Sequence, residues 1–294
     1  MHYYELKPED NHFHSVVVDV THRCNMECAN CYIPNREISD MDVDHLIETI
    51  KKFPKRTEIR LMGGEPTLRV DLPEIIKRVR MSGHRPTMLT NGLKLSHKSY
   101  VEKLYKAGLK VLNISMNGFD DDNVYKVLDN MACAEKKMMA LQNCLERGML
   151  LNINCIIMKG VNDHIPKRIF DFFSKNNWRG ILRFRNVGQL GRHAATKEES
   201  YKFEELIEHI GEQVGKSPDY IHQFHSVDGY SEEMNVLFPI EENKKSKIWI
   251  KITDWSPGSG ENIPDPGSKR RGRITQNFTV APFFEHVKKN EFGY

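Results

Sequence analysis

The chain has no cysteine beyond Cys155, no apolar run of membrane-spanning length and no large excess of either charge. Each scarcity excludes something. Its 43 Lys and Arg against 40 Asp and Glu leave a net charge of +3, so nothing global draws it toward nucleic acid. A membrane helix needs about 20 consecutive apolar residues, and no such run exists. Met1-His2-Tyr3-Tyr4-Glu5 lacks the basic-then-apolar order of an export signal, so a cytoplasmic location is expected. Internal repeats and low-complexity tracts are missing as well. Cysteine is too sparse for a disulfide scaffold in a reducing compartment. Of the six, Cys144 and Cys155 fall in apolar patterns and read, with Cys133, as small buried hydrophobes. At 294 residues the chain is long enough for one large α/β domain with a small appendage.

The other three cysteines crowd into Thr21-His22-Arg23-Cys24-Asn25-Met26-Glu27-Cys28-Ala29-Asn30-Cys31-Tyr32. Iron–sulfur clusters are normally held by four thiolates, so three leave one iron open to a small molecule. The competing reading is a Cys3His zinc site, with His22 or a distant His as the fourth ligand. Its protein would bind nucleic acid through Lys269-Arg270-Arg271-Gly272-Arg273. Structural zinc sites usually bring ligands in two close pairs, and no second pair follows here.

Polar groups recur at the carboxyl ends of expected strands. The run 57–62 leads into Gly63-Gly64-Glu65-Pro66. There two glycines permit close backbone approach and a carboxylate can hold an ammonium group, although alone such a sequence is an ordinary turn. Thr90-Asn91-Gly92 follows an apolar run ending at Leu89, and Ser115-Met116-Asn117-Gly118 closes the run 111–114. Met158-Lys159-Gly160-Val161-Asn162-Asp163 ends a run that starts at Leu151. In barrels of parallel strands, that end carries the active site.

Taken in order, the cysteine triplet and these strand-end motifs resemble the radical S-adenosylmethionine (radical SAM) superfamily over about residues 13–195. The resemblance implies one [4Fe–4S] cluster on Cys24, Cys28 and Cys31, with S-adenosylmethionine (SAM) chelating the fourth iron. It implies reductive cleavage of SAM to a 5′-deoxyadenosyl radical that takes hydrogen from a substrate, fed by an electron donor such as a flavodoxin or ferredoxin. Gly63, Gly64 and Glu65 are implied to hold the methionine amino group, and Thr90, Asn91, Ser115 and Asn117 the ribose or carboxylate. Asn30 stands where the family commonly has an aromatic or apolar residue, which turns that adenine contact into a hydrogen bond or removes it. In texture the chain is similar to the GTP-cyclising enzymes of molybdenum-cofactor synthesis, through 63–69, Asp71-Leu72-Pro73, Thr90-Asn91-Gly92 and Leu182-Arg183-Phe184. Those enzymes use a second C-terminal cluster and usually a Lys where Asn152 stands, so a single cluster is expected here and GTP cyclisation is not.

Strand signals at 15–20, 57–62, 86–90, 111–115, 151–158 and 181–185 alternate with helix signals at 44–53, 72–82, 97–107, 134–147, 167–176 and 197–214. Such alternation means parallel pairing with right-handed crossovers. With the resemblance it implies an α/β fold, a (β/α)6 partial TIM barrel with a small C-terminal β-rich extension. The expected division is a core over 1–215 and a substrate-covering extension over 216–294, with short strands at 220–224, 234–238 and 247–255. The basic run at 269–273 reads as a solvated loop or as a basic lid. Arg183 and Arg185 share one face of the sixth strand and, with Gly188, Gln189, Gly191 and Arg192 following, read as a substrate-facing edge suited to carboxylate or phosphate. No catalytic side chain or second hydrogen donor is assigned. A peptide substrate is preferred, because edge strands of the tail could pair with an extended leader. A small anionic metabolite or nucleotide is the alternative.

Overall fold

Alternating apolar positions drive six short segments into strands, and amphipathic helices return the chain between them. In a computed structural model, residues 4–31, 33, 36–187, 189–190, 193–194, 199–228, 233–241, 246–254 and 271–283 are described. Strands β1 (Ser15–Thr21), β2 (Glu58–Gly63), β3 (Arg85–Thr90), β4 (Val111–Ser115), β5 (Leu150–Ile157) and β6 (Gly180–Asn186) pair in parallel in that order. Helices α1 (Val43–Lys51), α2 (Leu72–Met81), α3 (Lys98–Ala107), α4 (Asp122–Leu128), α5 (Ala134–Glu146) and α6 (Ile165–Lys175) lie between them. Gly83, Gly108 and Gly148 follow α2, α3 and α5 with positive φ, as helix terminators do. A hairpin of β7 (Gln189–Leu190) and β8 (His193–Ala194) comes next, then α7 (Phe203–Val214) and α8 (Pro218–His222).

The remaining strands are β9 (His225–Asp228), β10 (Glu233–Pro239), β11 (Ile248–Thr253), β12 (Arg271–Ile274) and β13 (Val280–Pro282). They continue the barrel sheet at both ends. β11 runs parallel to β6 and β12 parallel to β1, giving one 11-stranded sheet ordered β13-β12-β1-β2-β3-β4-β5-β6-β11-β10-β9. The fold is the α/β partial barrel expected, with its β-rich C-terminal region built into the same sheet.

Three details differ from expectation. Segment 220–224 is not a strand, because the Ser217 hydroxyl caps α8 by accepting from Tyr220 N at 3.2 Å and Pro218 presets its first turn. Helix α4, capped by Asp121 accepting from Asn123 N at 2.8 Å, was not anticipated, since seven residues are too few to show a period. Arg271 and Arg273 are strand residues rather than a solvated loop. Gly188, Gly191, Arg192, Lys269 and Arg270 lie outside the described residues, so the expectations placed on them do too. Among the described residues no helix is long and apolar enough to cross a membrane.

Alternation along each strand sorts the two faces. On β5 and β6, Leu151, Ile153, Cys155, Ile157, Leu182 and Phe184 join the core beneath the helices. The opposite face carries Asn152, Asn154, Ile156, Ile181, Arg183 and Arg185 toward the barrel interior. Cys133 and Cys144 are buried, and burial pushes their thiols up to about 11 and about 12.

Inside the barrel, Arg273 (1% exposed) is bonded to the Asp19 carboxylate, joining β12 to β1. Breaking a buried pair from one side strands a charge in a poor solvent. Asp19→Ala should therefore cost about 3–5 kcal/mol in urea unfolding, with part of the loss recovered by adding Arg273→Met.

Candidate active site

Strand β1 ends at Thr21, and the chain turns there into the cysteine loop. The end of β2 is laid directly against that turn. Gly64 N donates to Thr21 O and Glu65 N to Arg23 O, both at 2.8 Å. A Cβ on Gly64 would sit 2.2 Å from Arg23 O and 2.5 Å from His22 O, and one on Gly63 would sit 2.1 Å from Thr21 O. Glycine is thus required so that the strand end can touch the root of the cysteine loop, a reason different from the ligand approach inferred from sequence. Both glycines also line the cavity described below.

Glu65 follows these glycines at the end of β2. It is 0% exposed, and its Oε1 accepts from Thr67 N at 3.0 Å, Thr67 Oγ1 at 2.6 Å and Thr90 Oγ1 at 2.7 Å. Its Oε2 accepts from Asn91 N at 2.7 Å. The carboxylate is committed to tying the end of β2 to the end of β3 and does not line the cavity. Four protein donors hold it inside the fold.

From this knot the other candidate residues radiate. Asn91 Nδ2 donates to Asn25 Oδ1 at 2.8 Å, pinning the cysteine loop, while Asn91 Oδ1 accepts from Leu93 N at 3.0 Å. Asn117 Nδ2 donates to both oxygens of Asp129 at 3.1 and 3.2 Å, and its Oδ1 accepts from Ile156 N at 3.0 Å. Ala29 N donates to Leu128 O at 2.9 Å, so the end of α4 braces the loop from the far side.

Cys24, Cys28 and Cys31 line one cavity of ≈150 Å³ together with Gly63, Gly64, Thr90, Asn91, Ser115, Asn117 and Arg185. Residues from four strand ends are thereby brought to one place. Arg183 sits lower on β6, its Nε donating to Thr253 Oγ1 at 3.1 Å, and is not in this lining.

Several residues of the cavity carry no sequence motif. Arg36 Nη2 donates to Cys31 Sγ at 3.4 Å and to Met26 O at 3.5 Å. Burial works against its charge, but the Cys24, Cys31 and Cys28 sulfurs outweigh that and raise its pKa. Lys137, 1% exposed on α5, reaches in to donate its Nζ to Ser115 O at 2.8 Å. Asp129 lies beside Cys28, whose thiol is raised first by burial and then by that carboxylate, with Lys137 opposing. Only Arg36, five positions past Cys31, had any positional signal; Asp129 and Lys137 arrive by tertiary packing alone.

This donor set suits a [4Fe–4S] cluster. Three sulfurs share one cavity, and cations at Arg36 and Lys137 stand ready to offset the negative charge of a thiolate-ligated cluster. Beside the sulfurs, polar strand ends offer hydroxyl, amide and backbone groups suited to a polar, zwitterionic co-substrate.

A parallel β/α partial barrel with three cysteines at the carboxyl ends of its strands defines a class of iron–sulfur enzyme. Residues 18–173, just over half of the chain, match the Radical SAM superfamily, and the chain belongs to it. Members use a [4Fe–4S] cluster and SAM, which sets aside the zinc reading. The 7,8-dihydro-6-hydroxymethylpterin dimethyltransferase of Methanocaldococcus jannaschii is 33% identical over 186 residues, which is 60% of this chain and 36% of that protein. A GTP 3',8-cyclase of Thermodesulfovibrio yellowstonii is 28% identical over 211 residues, covering 68% of this chain and 64% of that one. The chain therefore spans between about one third and two thirds of the length of these relatives.

Among solved structures, Streptococcus suis SuiB bound to its precursor peptide SuiA superposes with a TM-score of 0.66 at 16% identity, over 95% of this chain and 61% of that one. The anSMEcpe enzyme with AdoMet and a Cp18Cys peptide gives 0.56 at 16% identity, over 71% and 60%. At that identity the likeness speaks for the fold.

Gly64→Ala tests the packing argument. After anaerobic reconstitution with iron and sulfide, this variant should retain close to background iron while its far-ultraviolet circular dichroism stays that of the parent. Full iron content in Gly64→Ala would show that the close backbone approach is dispensable.

Proposed function

We propose that this chain is a radical SAM enzyme that abstracts hydrogen from a small anionic metabolite. Cys24, Cys28 and Cys31 are assigned to the cluster. Gly63 and Gly64, through their backbones, and Thr90, Asn91, Ser115 and Asn117 are assigned to SAM. When bound, the cluster and SAM supply one-electron reduction of a sulfonium and the power to take hydrogen from an unactivated C–H bond. An external one-electron donor such as a flavodoxin or ferredoxin completes the proposal.

The protein's own part is geometry. Glu65 holds the ends of β2 and β3 in register, so Thr90 and Asn91 meet the cysteine loop at a set distance. Arg36 and Lys137 make the cavity tolerant of negative charge. Arg185, in the cavity lining, is assigned to the substrate, with Arg183 further down the same strand face.

One observation carries the choice of substrate class. An ordinary barrel interior is packed with branched apolar side chains. Here the inward faces of β4, β5, β6 and β11 present Asn113, Asn152, Asn154, Arg183, Arg185, Lys251 and Thr253, a surface made for a polar anion. This favours the metabolite over the peptide preferred from sequence. The relatives named above act, by their names, on a pterin and on GTP, both small heterocycles.

In an anaerobic assay with dithionite and SAM, the reconstituted protein should form 5′-deoxyadenosine, and Cys24→Ala, Cys28→Ala and Cys31→Ala should each abolish it. Phosphorylated metabolites should change the rate of this uncoupled cleavage. A synthetic leader peptide that changes it, while such metabolites do not, would restore the peptide reading. A reconstituted protein that gains no cluster would defeat both.

A further inference from the structure

Arg36 enters the cavity from the chain just past the cysteine loop, and its guanidinium meets sulfur there. Its Nη2 donates to Cys31 Sγ at 3.4 Å and to Met26 O at 3.5 Å, and Ile33 N gives the same sulfur a second N–H at 3.4 Å. Nη1 of Arg36 is buried with no hydrogen-bond partner among the described residues. No carboxylate among those residues forms an ion pair with it. A charged donor left buried and unsatisfied is costly, so this one marks a place for an acceptor. Burial also disfavours the charge itself, and a hydrogen bond to Cys24, with the sulfurs of Cys31, Cys24 and Cys28, outweighs it.

The other cation close to the sulfurs is differently occupied. Lys137 Nζ donates to Ser115 O at 2.8 Å and stands 4.8 Å from the centroid of the Tyr125 ring. At Cys28 its charge opposes that of Asp129, so the two offset each other. Arg36 has no such counterweight among the described residues, and its free donor lies in the same cavity as the three cysteines.

Hydrogen bonds to its sulfurs and nearby charge set the potential of an iron–sulfur centre. A cluster on three thiolates is already negative, and one electron makes it more so. N–H donors on sulfur and a cation beside it therefore favour the reduced state and raise the potential. A guanidinium keeps its proton under all working conditions, so it acts as a fixed charge. One electron enters from the external donor, and no proton on Arg36 moves with it.

We propose that Arg36 is a positioning residue for cluster reduction: Nη2 holds Cys31, Nη1 donates to a second sulfur of the bound cluster, and together they favour the one-electron step from a flavodoxin- or ferredoxin-type donor. This rests on the reading that Cys24, Cys28 and Cys31 hold the cluster. Arg36 acts through sulfur and touches no reacting carbon.

A redox titration of the anaerobically reconstituted full chain tests this, followed by the electron paramagnetic resonance signal of the reduced cluster without substrate. Arg36→Gln should take up iron and sulfide as the parent does. Its midpoint should fall by roughly tenfold or more in the reduction equilibrium, about 59 mV for one electron. Arg36→Lys keeps the charge but loses the fork, and should lie between the two. The surface change Arg168→Gln, at a residue paired with Asp120, should leave the midpoint at the parent's value. A midpoint in Arg36→Gln that is unmoved or raised overturns the proposal. Weaker SAM binding with an unmoved midpoint also overturns it and assigns Arg36 to the co-substrate. If Arg36→Gln gains no cluster, Arg36→Lys decides: a lowered midpoint supports the role and an unmoved one overturns it. A parent that gains no cluster defeats the cysteine assignment itself, whereas a cluster whose potential ignores Arg36 defeats this inference alone.

Discussion

A buried carboxylate with four donors organises the catalytic end of this barrel. Glu65 collects Thr67, Thr90 and Asn91, and its own backbone N–H is given to Arg23 in the cysteine loop. Charge-assisted hydrogen bonds in a dry setting are each worth about 1.5–3 kcal/mol, so the strand ends are held with little freedom. The glycines before Glu65 make this possible, because any side chain there would strike the backbone of Thr21 to Arg23. Loop, strand end and neighbouring strand end are therefore one rigid unit. The three sulfurs inherit their placement from it.

Around that unit, charge is distributed in two levels. Near the sulfurs stand Arg36 and Lys137, reached from the loop itself and from a helix on the outside of the barrel. Lower down stand Arg60, Arg183 and Arg271, all on inward strand faces. On β4 and β5, Asn152 Nδ2 donates to Asn113 Oδ1 at 3.1 Å, and Asn154 stands level with Arg183. A polar interior of this kind gains little from self-packing. Its stability comes from the opposite faces of the same strands, where Leu151, Ile153, Leu182 and Phe184 pack beneath the helices. The barrel wall thus divides its faces: the outer one packs beneath the helices, and the inner one carries the polar and charged side chains.

Much of the fold was legible. The six parallel strands were read within about a residue at each end, because β5 and β6 alternate cleanly and glycines close the helices that precede three of them. The polar residues that line the cavity from the strand ends were legible for the same reason, since a polar group following an apolar strand in a parallel barrel falls at its carboxyl end. Helix α4 was too short for its period to register. Segment 220–224 has apolar residues at spacings that suit helix and strand alike, and Ser217 with Pro218 decided for helix. That Glu65 gathers Thr67, Thr90 and Asn91 was not legible, because a sequence cannot show which distant donors a carboxylate meets.

By itself the sequence determined the cysteine triplet, the parallel β/α order and the set of polar strand ends, all of which follow from local spacing and periodicity. Tertiary structure alone decided where the C-terminal strands go, which face Arg60 and Arg271 share, and that Lys137 and Asp129 meet the cysteine loop. Those pairings join residues from about 100 to more than 250 positions apart, the widest in the barrel being Asp19 with Arg273. The physical reason is range. Propensity and period act over a few residues, whereas charge placement inside a barrel depends on how distant strands register against one another.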